Sequence, residues 1–213
     1  MCVDGFIHTI FKFGDINTSA MIELVQLKQL VDTISPLPDK DWNGFTQIWK
    51  PFAAKRKTIL SAAGETEKYL YFVSTGVQRI YHIDHKDRET TILFTYGPSF
   101  GGVLDSLMLQ TPAKYDYETL SASSFLRTRY TDLKLWMDTN MAVSSFVRTG
   151  LAGALNGTLE RLVELQSFSS EEKFRTLLKR SPHILQLVPH KYLANYIGID
   201  ASNFSKFINT IVI

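Results

Sequence analysis

The sequence predicts an α+β protein, with its strands in the middle of the chain and helices at both ends. Three observations carry that prediction. From about Lys50 to Thr131, short runs of β-branched and aromatic residues recur between glycine, proline and charged turns, the pattern of an antiparallel roll or barrel. Leu151, Leu155, Leu159, Leu162 and Leu165 then follow at spacings of four and three, an apolar stripe on one long helix. Residues 188 to 209 have the spacing of a helix-turn-helix.

In chain order, residues 1 to 20 read as a loosely ordered extension or a misplaced start. Asp4, His8, Lys12 and Asp15 interrupt the apolar stretch there, so it is no working signal peptide. Ile22, Val25, Leu27 and Leu30 predict a helix over Met21 to Val31 that ends before Pro36 and Pro38. A second short helix is expected from Asp39 to Ile48, with Asp39 or Asp41 at its start. Strands are expected at Thr58 to Leu60, Tyr69 to Ser74, Val77 to Ile83, Thr90 to Tyr96, Tyr117 to Leu120 and Phe125 to Tyr130. The breaks fall at Gly64, Gly76, the Asp84 to Asp87 charge cluster and Gly97-Pro98. His82 and His85 flank a hairpin as solvated turn residues.

Thr131 to Gln166 reads as helical. Gly150, Gly153 and Gly157 lie beside its leucine stripe, and each costs up to about 1 kcal/mol of helix stability relative to Ala. Another backbone packed closely there would explain them. A symmetric partner helix is the economical candidate, and a helix lying on its own barrel is the alternative. Ser169 and Glu172 have capping-box spacing and open a helix through Leu178, so the chain divides near Gln166 to Ser169.

The terminal motif has a physical logic at each position. Val188 to Tyr196 reads as a first helix with Pro189 at its first helical position. Ala194 lets two helices approach, Gly198 ends the first with positive φ, and Asp200 can cap the second. Phe204 and Phe207 would pack under Leu193, Ile197 and Ile199, leaving Ala201, Ser202, Asn203, Ser205 and Lys206 pointing outward as a recognition helix needs. His190 and Lys191 begin the first helix, where they could touch a phosphate. An ordinary helical hairpin is the bland alternative.

Composition narrows the classes. The 213 residues carry a net charge of +2, with 45% hydrophobic and 21% charged, ordinary for a globular chain. Attraction to nucleic acid must therefore come from local clustering. From residue 167 onward six Lys or Arg face three acids. Cys2 is the only cysteine, which excludes an intrachain disulfide and a four-thiolate metal site and points to a reducing, cytoplasmic setting. No apolar run reaches the length of a membrane span, and no metal-ligand spacing is found. The chain offers no nucleophile–base constellation, paired carboxylates or phosphate-binding glycine loop, so no catalytic residue is assigned.

The order of roll, leucine-striped helix and helix-turn-helix resembles the Crp/Fnr family of bacterial transcription regulators. The resemblance runs from about Met21 to the end. It is carried by Gly64-Glu65, Leu70 to Val73 with Gly76, Arg88 to Phe94, Phe100-Gly101, Arg161 to Gln166, Glu171 to Phe174 and Pro189 to Lys206. The later motifs look like a subgroup common in Bacteroidetes. The resemblance implies a cyclic-nucleotide-binding-like double-stranded β-helix over 21–138, a dimerisation helix over 139–167 and a DNA-binding domain over 168–213. It also implies a homodimer whose partner is double-stranded DNA, with a small-molecule effector bound in the roll.

For that effector the family pattern is only partly kept. The resemblance implies a site at Gly101, Gly102, Val103, Leu104, Asp105, Ser106, Lys114 and Tyr115. Relatives that bind cAMP or another cyclic nucleotide hold the ribose with a glutamate where this chain has Gly102. They hold the phosphate with an arginine near Pro112-Ala113-Lys114, where this chain has none. Lys114 supplies charge without arginine's planar fork, and Asp105 and Asp116 add negative charge. The expectation is a cassette kept as packing, with an unknown metabolite as the other possibility. In the terminal helix Asn203 could bond adenine, and Lys206 guanine or a phosphate. The chain continues in Ile208 to Ile213 rather than in basic residues, so binding should be weak or salt-sensitive, and a truncated terminus would account for the apolar end. The rival reading is a ligand-binding or protein-interaction module that has lost DNA binding.

Overall fold

In the computed structural model, which describes residues 18–210, the middle of the chain folds into eight strands. They are β1 (Lys50–Ala54), β2 (Ile59–Ser61), β3 (Tyr69–Thr75), β4 (Val77–Ile83), β5 (Glu89–Tyr96), β6 (Ser99–Gly101), β7 (Asp116–Thr119) and β8 (Ser123–Arg129). All pair antiparallel, in two four-stranded sheets ordered β1-β8-β3-β6 and β2-β7-β4-β5. This is the expected roll. The readings made for residues 1–17 and 211–213 lie outside the described residues.

Two strands were not foreseen individually. β1 contains Pro51, which a sheet tolerates here because β1 is an edge strand and needs no inward N–H from that residue. β6 is three residues long and exists through its register with β3, Tyr71 opposite Gly101 and Val73 opposite Ser99. Neither carries the alternation that marks a strand in isolation.

Helices close the roll. α1 (Thr18–Ile34), longer at both ends than its sequence pattern suggested, and α2 (Asp39–Phe45) place Leu27, Val31, Trp42 and Phe45 in one core. A 3₁₀ turn over Thr46–Ile48 replaces the end of the expected second helix. α3 (Leu104–Leu109) follows β6, and α4 (Tyr130–Thr139) adds Leu133 to the same core. The stretch expected to be helical from Thr131 to Gln166 is two helices that meet, close to the expected start of the long helix at 139, at Asn140. That residue is extended and its side chain accepts the Val143 N–H, so it caps a new helix, α5 (Met141–Ser167).

Only the beginning of α5 lies on the roll, through Val143, Phe146, Val147 and Leu151. Beyond it Leu155 is 61% exposed, Leu159 53% and Val163 55%. A Cβ at Gly153 or Gly157 would meet nothing within 4 Å. For this stretch the helix does not pack on its own barrel.

The remaining helices, α6 (Ser170–Arg180), α7 (Ile184–Leu187), α8 (His190–Ile197) and α9 (Ala201–Thr210), form a small head. Its core joins Phe174, Leu177, Leu193, Ile197 and Phe204 to Val77 and Phe94 of the roll. The capping box at α6 is complete, Ser169 and Glu172 each bonding the other's backbone N–H. Its head meets β5, the edge of its sheet. There the Asn195 amide accepts the Thr91 N–H at 2.6 Å and donates to the Glu89 carbonyl at 3.0 Å. Phe94 packs edge-on to Tyr196 at 5.0 Å.

Asn195→Ala removes two hydrogen bonds to that strand edge, and should cost about 1–3 kcal/mol in urea denaturation. The Thr91 amide should also exchange faster with deuterium. Unchanged exchange at Thr91 would show that the contact does not hold the head.

Candidate nucleic-acid interface and ligand cassette

Local chemistry builds the helix-turn-helix much as the sequence indicates. α8 starts at His190, one residue later than expected. Pro189 stands just outside at φ −55°, ψ 134°, its carbonyl accepting from Tyr192 at 2.9 Å, so the proline caps the helix instead of opening it. Gly198 adopts φ +63°, which a side chain would disfavour, and the chain turns there as Ile199 bonds the Ala194 carbonyl at 3.1 Å. In α9, Phe204 is buried edge-on to Phe174 at 5.2 Å and Phe207 lies 5.6 Å from the same ring.

That anchoring leaves Ala201, Ser202, Asn203, Ser205 and Lys206 exposed on α9. Among the described residues no ion pair engages Lys206, and the side chains of Ser202, Asn203 and Ser205 bond to nothing. Lys191 is exposed at the start of α8, its ammonium 4.6 Å above the Tyr192 ring. His190 is exposed too, but its ring also packs 5.6 Å from Phe204.

Two charge clusters that sequence reasoning missed, centred on buried Arg79 and buried Glu164, also contact this head. Arg79 of β4 pairs with Glu89 at 2.6 Å and Glu118 at 2.8 Å, and its guanidinium stacks between the rings of Tyr81 and Tyr192 at 3.9 and 4.2 Å. At the end of α5, buried Glu164 accepts from Arg180 of α6 and from Arg161, while Arg161 lies 3.9 Å over Tyr196 and donates to its carbonyl. Burial pushes the Glu164 carboxyl up, but the Arg180 and Arg161 guanidiniums outweigh it, so the group sits below the ordinary carboxylate range. Only Arg161 and Glu164, three apart on one helix, left a trace in sequence.

The roll cassette keeps its backbone shape. Gly102 has φ +122°, and a Cβ there would press on the Tyr69 carbonyl at 3.1 Å. A Cβ on Gly101 would collide with the Tyr117 hydroxyl. Val103 and Ser106 are buried, Leu104 is half-buried and Asp105 is exposed. Ser106 accepts the Glu67 N–H at 3.0 Å and donates to the Thr111 carbonyl at 2.6 Å. Gly101 to Ser106 thus form one connected turn and helix.

The Lys114 side chain makes no hydrogen bond to it, while Tyr115 packs against the cluster that includes Val103. Lys114 is exposed, its carbonyl 3.2 Å from His82 Nδ1, and Tyr115 packs edge-on to the His82 ring at 6.3 Å. His82, read as a solvated turn residue, is exposed but has this contact. Asp116 accepts the Ala63 N–H at 3.0 Å and is spent on the backbone.

The space behind the cassette contains aromatic side chains. Tyr71 meets Tyr117 at 5.8 Å and Phe125 at 5.6 Å, and Phe52 meets Phe125 at 5.9 Å. The Tyr117 hydroxyl bonds Thr95, which bonds Gln78, and burial pushes both the Tyr71 and Tyr117 phenols up. Glu67, 2% exposed, has its carboxylate on the N–H groups of Lys68 at 2.9 Å, Tyr69 at 3.1 Å and, at 3.4 Å, Val103 of the cassette itself. Burial raises its pKa against those bonds. Nothing in the sequence singled Glu67 out. Among the described residues there is no group of three or more His, Cys, Asp or Glu placed to hold a metal, and no helix is long and apolar enough to cross a membrane.

No family profile matches this chain, and no curated protein matches it in sequence. Solved structures do match its fold. FixK2 from Bradyrhizobium japonicum superposes with a TM-score of 0.70 at 16% identity, over 76% of this chain and 83% of that one. A protein described as a transcriptional regulator of the Crp/Fnr family from Eubacterium rectale gives 0.64 at 14%, over 81% and 82%. The c-di-GMP-responsive global regulator CLP of Xanthomonas campestris gives 0.62 at 14%, over 81% and 90%. The chain has the fold of Crp/Fnr-type regulators, a cyclic-nucleotide-binding-like roll with a helical C-terminal region.

Because the folded Glu164 carboxyl lies below its ordinary value of 4.5, its contribution to stability is present above that pH and is lost as pH falls through the folded value. Glu164→Gln should lower the melting temperature at pH 7 and make the decline below pH 4.5 shallower than in the unaltered protein. Parallel acid profiles for the two would show that the cluster does not stabilise the head.

Proposed function

We propose that this chain is a DNA-binding transcription regulator that works as a homodimer. The observation that carries the proposal is α9: its apolar side is locked into the head while Ser202, Asn203, Ser205 and Lys206 stand free on the other. A helix so placed can enter a major groove and offer donors and acceptors to base edges. Lys191 and His190 then serve phosphates. We assign 168–213 to DNA binding, 139–167 to dimerisation and 21–138 to the sensor roll, and place the protein in the cytoplasm. The later sequence motifs support the Bacteroidetes-type subgroup.

Dimerisation is supported by the bare side of α5. Leu155, Leu159, Leu162 and Val163 leave a row of apolar side chains in water, and Gly153 and Gly157 leave room for a second backbone. Burying an apolar side chain of this size is worth about 1.5–3 kcal/mol. A second copy covers the row by symmetry and brings two α9 helices onto one duplex.

The roll, in this proposal, no longer binds a cyclic nucleotide. Tyr71, Tyr117 and Phe125 pack together behind the cassette, Glu67 places a carboxylate on the Val103 N–H, and the segment Pro112-Ala113-Lys114 carries no arginine. The weak basicity of α9, with Lys206 as its single cation, favours the rival reading of a ligand-binding or protein-interaction module.

Mobility shift on fragments of the host genome at low and moderate salt tests the main reading, and Lys206→Gln should weaken the shift by about tenfold, the worth of one good base or phosphate contact. No retardation under either condition leaves only the rival. In analytical ultracentrifugation the protein should sediment as a dimer at micromolar concentration, and Leu155→Glu with Leu159→Glu as a monomer. A monomeric wild-type chain removes the basis for paired reading. Titration calorimetry with cAMP and with cGMP should give no binding; a micromolar dissociation constant for either overturns the filled-roll proposal.

A further inference from the structure

A cleft of about 340 Å³ opens at the end of the roll where β3 begins, β8 finishes and α4 starts, and the reading above makes no use of it. It is lined by Lys68, Tyr69, Gln110, Arg129, Tyr130 and Thr131. Its volume lies toward the small end of the range of small-molecule sites. Lys68 and Arg129 are exposed, and Tyr69 and Tyr130 are half-buried. Among the described residues neither cation forms an ion pair. Glu67, next in the chain, is no counter-ion, because its carboxylate bonds the backbone N–H groups of Lys68 and Tyr69 and not the Lys68 ammonium.

The walls of the cleft are fixed. The register of β3 with β8 puts Tyr69 opposite Arg129, and the Tyr130 N–H donates to the Lys68 carbonyl at 2.9 Å. Both cations therefore stand on one tied corner of backbone. The Tyr69 ring is held in turn by the Arg127 guanidinium, which lies 4.3 Å over it and 3.8 Å over the ring of Phe52. Gln110 ends α3 at φ +53°, its side-chain amide donating to the Leu107 carbonyl at 2.6 Å. A wall set in advance cuts the ordering cost that a ligand must otherwise meet. Two cations gathered without a counter-ion repel each other, and an anion between them relieves that repulsion.

The lining pairs charge with aromatic surface. An inorganic anion alone leaves the two tyrosines unused, and an uncharged ring leaves the two cations unused. We propose that this cleft binds a small aromatic oxyanion, a flat ring bearing a phosphate or a carboxylate, with Arg129 and Lys68 on the oxygens and the ring against Tyr69 and Tyr130. Arginine offers a planar fork that matches either oxyanion, and tyrosine offers a large apolar face. The site is separate from the Gly101 to Ser106 cassette, none of whose residues lines it. Binding there requires neither DNA nor a dimer, so failure of the DNA-binding reading leaves it standing.

The test titrates the full chain with phenyl phosphate, with benzoate and with inorganic phosphate, followed by amide NMR shifts. At least one of the two aromatic probes should bind with a dissociation constant of about 1–10 mM, ordinary for a fragment of roughly ten heavy atoms. The amides of Gln110, Tyr130 and Thr131 should move most. Inorganic phosphate should bind about tenfold more weakly, since it leaves the aromatic wall empty. Preference for phenyl phosphate assigns the site to phosphate esters, and preference for benzoate to carboxylates. Lys68→Gln and Arg129→Gln, made separately at exposed positions, should each weaken the bound probe by about tenfold, the worth of one charge-assisted contact. The proposal is overturned by any of four results: no saturable shift with either aromatic probe, inorganic phosphate binding as tightly as they do, both variants binding as wild type, or the largest shifts falling on Gly101 to Ser106.

Discussion

Strand β5 ends its sheet, and an edge strand must have its free N–H and carbonyl groups covered or leave a template for unwanted pairing. Asn195 meets that requirement with one side-chain amide, which stands in for a neighbouring strand at Thr91 and Glu89. The rest of the head's placement depends on this seam. With α8 fixed along β5, Tyr192 comes to lie on Arg79 and Tyr196 on Phe94, and the two units share one hydrophobic cluster. α9 packs on α6 and α8 and is thereby turned away from the roll. The same docking brings the start of α8 to the β1–β2 turn.

The two ends of α5 solve different problems. Its first turns close the roll with Val143, Phe146 and Val147, while its last turn ties to the head through Glu164, Arg161 and Arg180. Between them, among the described residues, Leu155, Leu159 and Val163 of the helix are left exposed. Helix propensity alone does not favour Gly153 and Gly157 in such a span, and the proposed partner helix gives them a reason. With its first turns packed on the roll and an ion cluster at its end, this helix connects the roll to the head.

Within the roll, the cassette and the interior tell one story. The turn at Gly101 and Gly102 has no room for larger residues, which would strike Tyr117 and Tyr69. Protein interiors fill to crystal-like density, and here the filling is done by phenyl and phenol rings together with the Glu67 carboxylate.

Much of the fold could be read from residues close together in the chain. The helix-turn-helix was legible because Ala194, Gly198 and the two phenylalanines act over a few residues, and the α6 capping box because its partners are three apart. The roll's hairpins announced themselves by alternation and turn residues. What sequence alone determined, then, was element type, order and the outward side of α9, all consequences of short-range sterics and periodicity. The tertiary structure alone decided that β1 and β6 are strands, and that Arg79 meets Glu118 and Tyr192. It also decided that Glu67 bonds Val103 of the cassette and that Arg56 faces the head. Those contacts join residues tens of positions apart, and no local propensity encodes which distant side chain will close a given gap.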